Sequence, residues 1–249
     1  MLVTNRHNRQ YELDPHPIVQ RLFGNGIYQI TNIRHLRDLR PQARRIIDVG
    51  GNIGTSAIEY ATWAAAVETF EPTDRTRAYL VTNLARNRTR ECRAWYGSAS
   101  MQITAQVTVH DVALSNVTGT AYMTHREHGL ADYVAATGDQ PCQTATIDSY
   151  GWQDIDIIKI DTEGTEWLVV QGADATIRQC RPVVQVEFWD WNRRFGIDNQ
   201  EMLDYFQGLG YRHTDRLGND LPWDQPRRIT RRRHPTQACS AMDRFFVPQ

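Results

Sequence analysis

The sequence contains a single lysine. Lys159 stands alone among 28 basic residues, so 28 − 1 = 27 are arginines, whose planar heads stay charged at any ordinary pH. Net charge is nearly absent as well. The 28 Lys+Arg against 29 Asp+Glu give a formal charge of −1, which argues against a protein that coats nucleic acid by charge alone. The one dense basic patch, Arg227, Arg228, Arg231, Arg232 and Arg233, reads first as a solvated loop and second as a phosphate contact. Cys92, Cys142, Cys180 and Cys239 form no Cys-x-x-Cys pair, and no histidine stands at zinc-ligand spacing, so neither a disulfide framework nor structural zinc carries the fold. No apolar run approaches the roughly 20 residues of a membrane helix. Met1 to Asp14 also lacks the apolar stretch of a signal peptide. These absences predict a soluble cytoplasmic protein with no membrane partner. Repeats and low-complexity tracts are missing too.

What is present suffices for one sizeable core: 249 residues, 41% of them hydrophobic. Short Val- and Ile-rich runs alternate with segments of helical character, the pattern of a parallel sheet covered by helices. Strands are predicted over Arg45 to Val49, Val67 to Glu71, Val107 to Leu114, Ile155 to Asp161 and Val183 to Phe188. Helices are predicted over Thr55 to Ala64, Arg75 to Asn87 and Glu166 to Cys180, the last stopped by Pro182. A further helix over Asn199 to Leu209 ends at Gly210, and Tyr211 to Arg216 and Met242 to Val247 read as closing strands, the last an antiparallel edge strand on an otherwise parallel sheet. Residues 1–44 read as a separate N-terminal segment that covers the mouth of the site, with a strand at Tyr11 to Leu13 and helices at Pro17 to Leu22 and Ile33 to Leu39. Residues 45–249 read as the main domain.

The chemistry concentrates in a few segments. Arg45-Ile-Ile-Asp-Val-Gly-Gly-Asn-Ile-Gly54 is an apolar strand that runs into an acid and a glycine-rich turn before a helix. Gly50, Gly51 and Gly54 let the backbone approach a ligand, with Asn52 and Thr55 beside them and Asp48 at the strand end, the pattern of a nucleotide-type cofactor loop. The spacing departs from Gly-x-Gly-x-x-Gly, which speaks against a dinucleotide dehydrogenase. Glu71 lies 23 residues beyond Asp48, where a carboxylate accepts from both ribose hydroxyls. The alternative is an acid at a helix start. Asp111 and Val112 follow the third strand and suit an adenine amino group and ring, or else form a surface turn.

The ordered set Asp48-Val-Gly-Gly-Asn-Ile-Gly54, Phe70-Glu71-Pro72, Asn83, Ala113-Leu114-Ser115 with Gly119, Thr146-Ile147-Asp148 and Ile158-Lys-Ile-Asp-Thr-Glu-Gly-Thr-Glu166 resembles the FkbM-type S-adenosylmethionine-dependent methyltransferases. The resemblance runs from about Ile46 to Phe188. It implies a Rossmann-like class I methyltransferase fold, α/β, with seven mostly parallel strands, an antiparallel last strand and helices on both faces. It also implies S-adenosylmethionine as cofactor and O-methylation of a hydroxyl on a sugar or other small molecule. The family loop usually carries alanine where Gly51 stands, a departure expected to leave binding undisturbed.

Alternation places Lys159 and Asp161 on one strand face. A buried lysine needs partners, and Asp161 and Glu187 are the expected ones. Asp161, Glu163 and Glu187 converge at the carboxyl ends of adjacent strands, where open α/β sheets bind ligands. Two routes follow. In the preferred one, a carboxylate or His128 takes the hydroxyl proton without metal. In the other, Mg²⁺ held by Asp161 and Glu187 acidifies the hydroxyl. His125 and His128 read equally well as exposed loop residues, and Glu166 as a helix-start charge. Trp189 and Trp191 offer aromatic faces for a sugar or a base, or simple packing. Alternatives to a sugar methyltransferase are a silent cofactor- or partner-binding module and a nucleic-acid methyltransferase that uses the arginine patch. Nothing in the sequence fixes the oligomeric state.

Overall fold

The computed structural model describes residues 1–5, 7–13, 29–93, 100–124, 133–138, 140–188, 196, 198–224 and 243–249. The helix expected at Pro17 to Leu22 lies outside the described residues, as do His125, His128, Trp189, Trp191 and the arginine patch. A hairpin of β1 (Leu2–Thr4) and β2 (Gln10–Glu12) comes first. Then follow α1 (Ile30–Leu39), β3 (Arg45–Val49), α2 (Thr55–Tyr60), β4 (Ala66–Phe70), α3 (Asp74–Asn87), β5 (Cys92–Arg93), β6 (Ser100–Met101) and β7 (Gln106–His110). The middle holds β8 (Ala113–Leu114), β9 (Gly119–Thr124), β10 (Tyr133–Ala135), β11 (Gln140–Ala145) and a 3₁₀ turn, Ile147–Tyr150. The rest comprises β12 (Ile155–Ile160), α4 (Glu166–Gln171), α5 (Asp174–Cys180), β13 (Val183–Glu187), α6 (Asn199–Gly208), β14 (Tyr211–Thr214) and β15 (Asp243–Pro248).

The main sheet runs β14-β15-β13-β12-β3-β4-β7. The pairs from β13 through β7 are parallel, and β15 is antiparallel to both of its neighbours. The expected architecture is thus present, with one correction: the antiparallel last strand is inserted second from the end, and β14 forms the edge. Two further expectations are corrected. Val107 to Leu114 is not one strand, because the chain leaves the main sheet after His110 and Ala113–Leu114 pair with Thr144 and Ala145 in a separate sheet, β10-β9-β11-β8. Glu166 to Cys180 is two helices, broken at Gly172. A Cβ on that glycine would sit 2.0 Å from the Ser115 carbonyl oxygen, so the helix pair folds against β8 at the one residue type that fits.

The two faces of the main sheet differ in chemistry. One is apolar through its centre: Ile47, Val49, Ile158, Ile160, Val184, Val186 and Phe246 pack against Val170, Ile177, Leu203 and Phe206 from α4, α5 and α6. On the other, Ile46, Val67, Ile157, Val183 and Phe245 pack under Ile33 and Leu36 of α1 and Ala57 and Tyr60 of α2. Toward the carboxyl ends this second face turns polar. In register there stand Thr69, Asp48, Lys159 and Gln185, with Glu187 and Asp243 paired one step further.

The N-terminal hairpin hangs from α3 by side chains. Asn83 accepts from the Glu12 N–H and donates to the Glu12 carbonyl at 3.2 Å, while Asn87 accepts from the Gln10 N–H at 3.0 Å and donates to its carbonyl at 2.6 Å. Two amides one helical turn apart thereby satisfy the outer backbone edge of β2. Arg9, buried, closes the joint on Glu59, also buried, at 2.7 Å. Among the described residues, no helix is long and apolar enough to cross a membrane.

Candidate active site

The glycine loop rises from β3 and lies against the end of β12. Gly50 has φ +77°, and a Cβ there would meet the Asp161 carbonyl oxygen at 2.0 Å, so both conformation and contact demand glycine. Gly51 is equally confined: its Cβ would fall 2.1 Å from Thr69 Oγ1 and 2.8 Å from Leu80 Cδ1. Accommodating the alanine usual in the resembling family would require the Thr69 and Leu80 side chains to shift. Asn52 takes a left-handed φ of 48°, and Thr55 is buried in the first turn of α2.

Beneath the loop sits Lys159, 3% exposed. Its ammonium donates to the Gly50 carbonyl at 2.8 Å and the Val49 carbonyl at 3.2 Å, and it lies 3.3 Å from Asp48 Oδ1 and 3.7 Å from Asp161 Oδ2. The expected partnership with Asp161 exists. The closer carboxylate is Asp48, and Glu187 acts on the lysine only through its charge. Burial alone would lower the proton affinity of Lys159, but Asp48 and Asp161 outweigh it and raise it, so the lysine stays charged. Asp48, fully buried, is pushed up by desolvation and held back by Lys159 and by the Thr69 hydroxyl, which donates to it at 3.3 Å. Its side chain faces the underside of the loop.

Glu71 follows β4 and grips the same loop from the other side. Its Oε2 accepts from the Asn52 N–H at 2.9 Å and its Oε1 from the Thr73 N–H at 3.0 Å. Its own N–H donates to the His110 carbonyl at 3.0 Å, which brings exposed Asp111 and half-buried Val112 to the same end of the sheet. The helix-start reading of Glu71 is the one these contacts describe: the carboxylate is fixed by backbone N–H groups just before α3 and sits beside the loop.

Asp161, Glu163 and Glu187 come together as expected, with one oxygen of each within 4.8 Å of the others. Glu187 is 5% exposed, and its Oε2 has no hydrogen-bond partner among the described residues. Burial, then the charges of Asp161, Glu163 and Asp243, push its carboxyl well above the usual range. Glu163 has φ 61°, a left-handed conformation uncommon for a residue with a side chain. Glu166 does the structural work expected of it: one oxygen accepts from the Thr162 N–H, the Thr162 hydroxyl and the Gly164 N–H at 2.9 to 3.1 Å, fixing the turn that carries Glu163.

Several neighbours escaped the sequence reading. Asp243 faces Glu187 across β15 and is raised to about 7 by burial and by Asp161. Asn32 of α1 and Gln185 of β13 donate to it at 2.6 and 2.8 Å. Gln29 donates to Asp161 at 3.4 Å. The available signal was Asp243 itself, an acid opening the strand Asp243-Arg-Phe-Phe-Val-Pro248.

Other residues of the resembling motifs act as supports. Asp148 accepts from the N–H groups of Ala175 and Thr176 at 3.0 and 2.8 Å and caps α5. Asn83 donates to the Ile53 carbonyl at 2.9 Å and ties the glycine loop to α3.

Comparison with known proteins agrees with this layout. A methyltransferase from Methylobacillus flagellatus KT described as FkbM superposes with a TM-score of 0.54 at 16% identity, over 83% of this chain and 44% of that one. This chain thus spans less than half the length of that relative. A TehB-like S-adenosylmethionine-dependent methyltransferase from Corynebacterium glutamicum gives a TM-score of 0.47 at 12% identity, over 92% of each chain. No curated protein matches the sequence. The family model of the FkbM methyltransferase domain matches residues 48–213, a span that begins at the buried Asp48 and contains the loop, Lys159 and the three carboxylates. The chain belongs to the FkbM methyltransferase domain family, and its fold is that of the class I methyltransferases.

Proposed function

We propose that the protein is an S-adenosylmethionine-dependent methyltransferase that methylates a hydroxyl on a sugar or a glycosylated small molecule. In this reading the loop Gly50 to Thr55 receives the cofactor, Glu71 its ribose, and Asp111 with Val112 its adenine. The observation that carries the reading is the placement of the glycine loop directly beside three carboxylates on one half of one sheet face.

Methyl transfer asks little covalent work of the protein, because the sulfonium is already activated. The acceptor oxygen attacks the methyl carbon, the carbon–sulfur electron pair returns to sulfur, and the hydroxyl proton must leave. The chain's contribution is to align the three reacting atoms, exclude water and remove that proton. The Asp161, Glu163 and Glu187 cluster suits the last task, and a cluster this acidic also favours a neutral or cationic acceptor over a phosphorylated one.

Thermal unfolding with S-adenosylmethionine, S-adenosylhomocysteine and NAD tests the cofactor. Stabilisation by the two sulfur compounds alone is expected, and none from either would refute the reading. Methyl transfer from labelled S-adenosylmethionine to a set of hydroxyl- and amine-bearing glycosides then tests the acceptor. Glu187→Gln should bind S-adenosylhomocysteine normally and turn over slowly.

A further inference from the structure

We propose that Asp161, Glu163 and Glu187 form the binding site of a divalent, oxygen-preferring cation of the Mg²⁺ or Mn²⁺ type. The three offer one oxygen each within a 4.8 Å span, and metal–oxygen bonds of about 2.0 to 2.6 Å place donors across an ion at up to about 4 to 5 Å. All donors are carboxylate oxygens, which select hard cations over zinc or copper. Two come from the ends of neighbouring strands, β12 and β13, and the third from a turn that Glu166 fixes through two backbone N–H groups.

An acidic cluster alone does not make such a site. The second observation is Glu187, 5% exposed, whose Oε2 lacks a hydrogen-bond partner among the described residues. Gln185 Oε1 and Asn32 Oδ1, whose amide nitrogens both face Asp243, are buried acceptors in the same condition. The corner therefore has acceptor oxygens in surplus. Among the described residues Lys159 is committed to Asp48 and to the Val49 and Gly50 carbonyls and stays 3.7 Å from Asp161. Leaving the buried Glu187 oxygen without a partner is costly, and a cation bound here offsets that cost while relieving the repulsion among the three acids.

Three protein ligands leave coordination positions for water and for one acceptor oxygen. This use of the ion rests on the methyltransferase reading: a hydroxyl held there is aligned and acidified, and a carboxylate oxygen of the cluster that does not bind the ion takes its proton.

The test measures binding directly, on the whole chain without cofactor or acceptor. Mn²⁺ is titrated and free ion read by electron paramagnetic resonance, with Mg²⁺ as competitor. One Mn²⁺ per chain, displaced by Mg²⁺ and weakened at least about tenfold in Asp161→Asn, Glu187→Gln and Glu163→Gln, is the expected result. Absence of binding at millimolar Mn²⁺, or affinity unchanged in all three variants, overturns the proposal. Glu163→Gln, on the turn, serves if the buried variants fail to fold. Calorimetry of S-adenosylhomocysteine in EDTA separates the two readings, since cofactor binding without Mn²⁺ binding defeats the cation alone.

Discussion

Replacing Lys159 tests whether the site is built on a buried charge. The ammonium holds two loop carbonyls and two carboxylates within 3.7 Å. Lys159→Met keeps the stem and removes the head. Asp48, fully buried, then retains only the Thr69 hydroxyl among the described residues, and breaking a buried pair from one side costs about 3 to 5 kcal/mol. Against a total stability of about 5 to 15 kcal/mol, that is a large fraction. With a urea slope of about 3 kcal/mol/M, the unfolding midpoint should fall by more than about 1 M. Adding Asp48→Asn to Lys159→Met removes the orphaned charge and should recover about 0.5 to 3 kcal/mol as coupling. Lys159→Arg preserves charge but puts a planar, five-donor head where a compact one fits, and overpacking of this kind costs about 1 to 3 kcal/mol. S-adenosylhomocysteine affinity should fall with stability in both single variants, because the same carbonyls shape the loop. Lys159→Arg within about 0.5 kcal/mol of wild type, as for an ordinary surface change, together with strict additivity in the double variant, would refute the reasoning.

Gly51→Ala should destabilise the chain by about 1 to 3 kcal/mol, and less in a Thr69→Ala background, where the 2.1 Å contact is absent; a urea double-mutant cycle reads the difference. Asn83→Ala removes three backbone contacts of a fully buried amide, including that to Ile53. It should loosen both hairpin and loop, seen as faster hydrogen exchange in residues 10–12 and 52–55 and weaker S-adenosylhomocysteine binding. His213, buried and lowered to about 4 by burial and by Arg244, is neutral in both states above pH 6.5. As pH falls from about 6.5 to about 4, the unfolded chain takes a proton the fold refuses, and a gap of about 2.5 units at about 1.4 kcal/mol each removes about 3 kcal/mol. His213→Phe should lose less stability over that window in paired urea titrations at pH 7 and pH 4.5.

Much of this arrangement is legible in the sequence because period-2 alternation survives in buried strands whose two faces have different duties. Ile157 to Ile160 shows it: Ile158 and Ile160 serve the apolar face, while Ile157 and Lys159 mark where the other face turns from packing to chemistry. The glycine loop, Glu71 and the three carboxylates are local patterns and can be read in the same way. What could not be read is non-local. Asp48 rather than Glu187 is the near partner of Lys159 because β3, not β13, brings its acid into the same row. Asp243, Asn32 and Gln29 reach the site from segments far away in the chain. The break after His110 is hidden as well, since Val107 to Leu114 has strand composition throughout and only pairing with β11 shows that its end belongs to another sheet.

The amide pair on α3 has a consequence for chain length. Four residues of helix rise about 6.0 Å, and two residues of strand advance about 6.6 to 6.8 Å, so Asn83 and Asn87 match Glu12 and Gln10 nearly one to one. The helix acts as a ruler with two marks. Inserting one residue between Gln10 and Glu12 would let the hairpin meet only one mark at a time, whereas an insertion in the turn before Gln10 leaves both marks aligned. Tolerance to length change should therefore switch abruptly within three residues of backbone that carry no chemistry of their own.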